Sequence, residues 1–82
     1  MKKQRYDLMA FAIDEGTTTG LAPNTKEAKW WDIMLVPLLP SGLPDWDNVK
    51  EYEGLTRQQA EDKIALLETR YSVNAEYITE RE

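Results

Sequence analysis

The chain has 82 residues, a net charge of −5, and neither Cys nor His. That length makes one small domain, residues 1–82, with room for one core. The missing thiols and imidazoles exclude disulfides, thiolate nucleophiles, the usual structural zinc sites and the commonest general base.

The start, Met1-Lys2-Lys3-Gln4-Arg5, is basic, but the apolar run after it stops at Asp14-Glu15. It is too short and too poorly flanked for a signal peptide. No stretch approaches the ~20 apolar residues of a membrane span. A chain without disulfide staples suits a reducing compartment, and a cytoplasmic location is expected.

Arg5 to Ile13 is apolar on both alternations: Met9, Phe11 and Ile13 share one face, and Tyr6, Leu8, Ala10 and Ala12 the other. This predicts a strand buried on both sides or central in its sheet. Residues 14–29 form a long connection punctuated by Gly16, Gly20 and Pro23. Its Gly16-Thr17-Thr18-Thr19-Gly20 lacks the Gly-Lys-Ser/Thr ending of a phosphate-binding loop and reads as a mobile loop. Asn24 with Glu27 has the spacing of a capped helical turn.

Trp30 to Val36, stopped by Pro37, favours a strand through its Trp, Ile and Val content. A helix over 24–35 is the alternative. Residues 37–48 form a second long loop, whose Pro37–Pro44 portion holds three of the four prolines and predicts an irregular, stiff connection. Asp45 to Glu53 fits either a short helix capped by Asp45 and bearing Trp46, Val49 and Tyr52, or a polar edge strand over Val49–Glu53.

The clearest element is a helix from Thr56 to Ser72. Thr56 and Gln59 have capping-box spacing, and Leu55 precedes the cap as a hydrophobic staple for Ala60. Ala60, Ile64, Leu67 and Tyr71 form one stripe, while Arg57, Gln58, Glu61, Asp62 and Glu68 fall elsewhere and face water. Val73 to Thr79 alternates as a short strand. The expected fold is α+β: a small antiparallel sheet of three to four strands with this amphipathic helix on one face, in the order β-β-(short element)-α-β. The two apolar runs should pair centrally as a wide hairpin.

Carboxylates are the only plentiful reactive groups. Asp45-x-Asp47-x-x-x-Glu51-x-Glu53 is the densest cluster, but Val49 and Lys50 stand where a calcium loop needs an oxygen ligand and a glycine. A glycosidase pair needs a groove between its acids, which so small a scaffold does not promise. No enzyme activity, cofactor or metal is expected.

Charge is uneven. Residues 1–41 hold five basic and five acidic side chains, residues 42–82 five and ten. A basic nucleic-acid footprint is absent, so direct nucleic-acid binding is not expected. An acidic half suits either plain solubility or a basic partner. Aromatics beside acids are what a protein-binding surface offers, and Trp46 and Tyr52 interleave with the acids. On a strand, adjacent Trp30 and Trp31 point to opposite faces. One helix covers one face, so one tryptophan is left on an apolar face that a partner covers, or that the proline-rich segment folds over.

The expected partner-binding residues are therefore Trp30, Trp31, Asp45, Trp46, Asp47, Glu51, Tyr52 and Glu53. Taken as a complete chain without a catalytic kit, the protein is expected to bind a larger protein and modulate or inhibit it. In size and architecture it is similar to compact proteins that phages make to disable host machinery, such as inhibitors of polymerase or of CRISPR defence. The alternatives are a structural or self-assembling small subunit, and a nucleic-acid mimic. The mimic has to contend with Lys50, Arg57, Lys63, Arg70 and Arg81, which interrupt the acidic series where DNA carries nothing positive.

Overall fold

A computed structural model describes residues 4–80. The basic start Met1–Lys3 and the terminal Arg81 and Glu82 lie outside the described residues. Four strands, β1 (Tyr6–Ile13), β2 (Trp30–Pro37), β3 (Lys50–Leu55) and β4 (Ala75–Ile78), form one sheet in the spatial order β3-β2-β1-β4. One helix, α1 (Arg57–Tyr71), packs on it, and two 3₁₀ turns, Thr25–Glu27 and Trp46–Asn48, lie in the connections. The fold is α+β, as expected.

The two most apolar runs pair as the central antiparallel hairpin, from Tyr6 opposite Pro37 to Ile13 opposite Trp30. Residues 24–35 are thus not one helix: Asn24 caps a single 3₁₀ turn, accepting from the Glu27 N–H, and β2 follows. The 45–53 stretch resolves into both of its readings. Trp46–Asn48 is a 3₁₀ turn and Lys50–Leu55 is the edge strand.

The sheet is mixed rather than antiparallel throughout, because β4 runs parallel to β1. Chain order requires this. Both β1 and β3 are antiparallel to β2, so they run the same way. A single helix between β3 and β4 returns the chain to the end where β3 began, and β4 must then run parallel to both.

Residue alternation sets two different faces. Leu8, Ala10 and Ala12 of β1 and Trp31, Ile33 and Leu35 of β2 are buried under Ala60, Ile64 and Leu67 of α1. Ala10 lies opposite Ile33 and Ala12 opposite Trp31, so small residues make room for large ones beneath the helix. The Tyr6 and Tyr71 rings, 4.6 Å apart, close one end of this layer, and Trp31 with Tyr77, edge to face at 6.1 Å, closes the other.

The helix forms where local chemistry places it. The Thr56 hydroxyl accepts from the Gln59 N–H, and the Gln59 side chain accepts from the Thr56 N–H, completing the capping box. Ser72 ends the helix in the left-handed region, its N–H donating to the Glu68 carbonyl. Glu68 does not simply face water: its carboxylate accepts from the Ala75 N–H at 2.7 Å and ties β4 to the helix.

Neither long connection is structureless. In the first, Asp14 N–H donates to the Gly20 carbonyl and Ala22 N–H to the Ala12 carbonyl, which folds the segment back and buries Ala22. In the second, the proline-rich stretch is a tight hairpin tip and not an irregular linker. Gly42 N–H donates to the Leu39 carbonyl and Leu39 N–H to the Leu43 carbonyl, with Gly42 at φ +92°. A turn with Pro40 at its second position and a left-handed glycine closing it is a three-residue hairpin loop.

Candidate protein-docking surface

The second face of the sheet carries Asp7, Met9, Phe11 and Ile13 from β1, in register with Val36, Met34, Asp32 and Trp30 of β2. Glu51 of β3 lies beside Met34, and Glu76 and Ile78 of β4 lie beside Met9 and Phe11. The helix packs on the opposite side. Met9, Phe11, Ile13, Trp30, Met34 and Ile78 are therefore only half-buried, where the helix-side residues of β1 and β2 are almost all fully buried. β1 was expected to be buried on both sides or central in its sheet. It is central, and fully buried on one side only, because one layer covers the sheet.

A hollow of about 250 Å³ opens on this face among Phe11, Ile13, Asp32, Met34, Glu51 and Glu53. A β-bulge shapes its rim: Glu53 and Gly54 together face Asp32, Gly54 takes φ +71°, and its N–H donates to the Asp32 carboxylate at 2.9 Å. The bulge turns Glu53 toward the open face while Leu55 returns to the helix side. The folded-over cover considered for this face exists at one end only. Val36 is fully buried yet outside the main core, and the 3₁₀ turn Trp46–Asn48 packs on β2.

A second apolar feature lies in that same connection. Leu39 and Leu43 flank the hairpin tip and Trp46 follows it; all three are exposed, Leu43 and Trp46 at 64% and 57%. Exposed large side chains grouped on one short connection make a candidate interaction surface.

The sequence-predicted residues divide between these surroundings. Trp30, Glu51 and Glu53 belong to the open face. Trp46 and Asp47 are exposed, and Asp45 is half-buried. Asp45 does not cap the 3₁₀ turn with its side chain; its carboxylate accepts from the Asn48 amide at 2.8 Å. Trp31 is corrected from docking residue to core: it points to the helix side and is 4% exposed. Tyr52, opposite Ile33, also faces the helix, under the Lys63 ammonium at 4.5 Å.

Sequence reasoning missed Leu39 and Leu43, and it separated Met9 and Phe11 from Leu8, Ala10 and Ala12 without deciding which face of β1 lies open. Two signals mark the difference. Ala10 and Ala12 are small enough to admit a helix, which identifies their face as the covered one. Pro40 and Gly42 have turn spacing, which places the two leucines at a tip.

A further hollow of about 290 Å³ lies at the helix start among Thr25, Trp31, Arg57, Ala60, Glu61, Ile64 and Tyr77. The Arg57 guanidinium sits 5.8 Å over the Trp31 ring and donates to the Thr25 carbonyl. The Trp31 indole N–H is buried without a hydrogen-bond partner and sealed from solvent, so the hollow does not reach it. Among the described residues no three His, Cys, Asp or Glu side chains converge as a metal site. No helix among them is long and apolar enough to cross a membrane.

No protein-family model matches the chain, and neither a curated protein nor a solved structure matches it significantly.

Proposed function

We propose that this chain is a small, non-enzymatic binding protein that docks on a larger protein and modulates or inhibits it. The observation that carries the reading is the open sheet face: an apolar surface across β2, β1 and β4, edged by the acids of β3, on a sheet with one layer of cover. Half-buried Met9, Phe11, Met34 and Ile78 keep the sheet together from one side and are available to a partner from the other. Exposed Leu43 and Trp46 add apolar surface on the connection between β2 and β3. Trp is among the side chains most often found at binding hot spots. A cytoplasmic location accompanies the proposal, on the absence of cysteine.

Affinity capture with the tagged chain tests it. The wild type should retain a defined protein that is lost from the same lysate with Met34→Thr or Trp46→Ala, both folded by circular dichroism. Retention of the same proteins by all three would remove the open face and its neighbour from the function.

A further inference from the structure

We infer that the occupant of the open sheet face is an amphipathic helix whose apolar stripe is flanked by Lys and Arg, and not a second copy of this chain. The inference rests on the docking role proposed above and names the chemistry of the partner.

Charge on this face is one-sided. Of the charged residues within the four strands, Asp7, Asp32, Glu51, Glu53 and Glu76 all belong to the open face. The one base in the strands, Lys50, pairs with Leu35 on the helix side. Among the described residues, two bases flank the face. Arg5 lies under the hairpin tip near Gly42, and Lys29 lines a hollow with Trp30, Asp14 and Glu15, which supply acids of their own.

Three of the acids form a border, while Asp32, on β2 beside Phe11, is taken up by the Gly54 N–H and Asp7 lies near the start of β1. Glu51 and Glu53 stand on β3 at one side of the Met34–Met9–Phe11–Ile78 stripe, and Glu76 stands on β4 at the other. Adjacent strands are about 4.8 Å apart, so the stripe over β2, β1 and β4 is about 10 Å wide. A helix with its side chains is about 10–12 Å across. One helix laid along these strands covers the stripe, as α1 covers the other face. Cations on both its flanks then meet carboxylates.

A second copy meets the opposite situation. Face-to-face docking sets one five-acid surface against another, and like charges brought together at an interface oppose association. The charge that selects a basic partner thus also keeps the open face from pairing with itself.

Three designed helical peptides sharing one leucine stripe, with flanks of lysine, glutamine or glutamate, test this on the full chain by titration calorimetry. The lysine peptide should bind at least roughly tenfold more tightly than the glutamine peptide, and the glutamate peptide more weakly still. Added salt should narrow the difference. Met34→Thr and Phe11→Thr should each abolish binding, with Met9→Thr in place of either that fails to fold. Glu51→Lys with Glu53→Lys should weaken the lysine peptide roughly tenfold or more. Glu61→Lys with Asp62→Lys, on the outward side of α1, should leave it unchanged.

Equal affinity for the three peptides, or equal loss from reversals on α1, overturns the inference. Binding of the glutamine peptide as tightly as the lysine one, still abolished by Met34→Thr, keeps the docking face and removes its basic partner. Binding of none of the peptides, or binding indifferent to Met34→Thr and Phe11→Thr, removes both. A dimer in sedimentation that Met34→Thr abolishes assigns the face to a second copy and also overturns the inference.

Discussion

Ser72 shows how a single residue both ends an element and stores strain. It holds φ 54°, ψ 51°, and is the only described residue other than glycine with positive φ. An L-residue there costs about 1–2 kcal/mol, whereas glycine costs about 0.5–1 kcal/mol in chain entropy. Ser72→Gly should therefore stabilise the fold by about 0.5–1 kcal/mol. In a domain of this size that corresponds to a rise in melting temperature of roughly 2–8 °C, readable by calorimetry. A fall would mean that the Ser72 side chain supports the helix end. Trp31 carries strain of another kind. Its buried N–H, without a protein partner, costs about 1–3 kcal/mol, while the ring contacts Arg57 and Tyr77.

At the scale of elements, α1 depends on its cap. Thr56→Ala removes the acceptor for the Gln59 N–H and should cost about 1 kcal/mol, seen as a melting temperature lower by roughly 4–8 °C. The same locality made α1 readable from sequence. Cap, stripe and stop all lie within one segment, so Thr56–Ser72 was evident before any tertiary contact. The central strands were evident for a related reason: their apolar runs are long enough to need burial. The direction of β4 follows from the order of elements once β4 is placed beside β1, but that neighbour is a long-range choice. The hairpin tip at Leu39–Leu43 was obscured by its prolines, which read as stiffness until Gly42 is recognised as the closing residue of a turn. Trp30 was identifiable as a surface candidate by alternation, and Glu51 and Glu53 by their place in the acidic cluster beside aromatics. Trp31 and Tyr52 were not separable from them, since alternation says that neighbours differ and leaves open which face the helix takes.

For the whole molecule, the consequence of covering one face of a sheet is that adjacent residues answer to different demands. Ile33 is fully buried beneath α1, while Met34, next in the chain, lies half-buried on the open face beside Glu51. A threonine at Ile33 leaves a void and buries a hydroxyl, for a cost of about 2–4 kcal/mol. At Met34 the same residue keeps the β-branching a strand favours and stays near water, for less than about 1 kcal/mol. Urea unfolding of Ile33→Thr and Met34→Thr should therefore give well-separated midpoints with unchanged slopes. Binding should follow the reverse order, with Met34→Thr losing the partner while it keeps the fold. If both variants lost the same stability, Met34 would be core, and the sheet would have no face left to offer. The stability difference between two consecutive residues is thus the most direct measure of whether this domain is finished by itself or completed by what it binds.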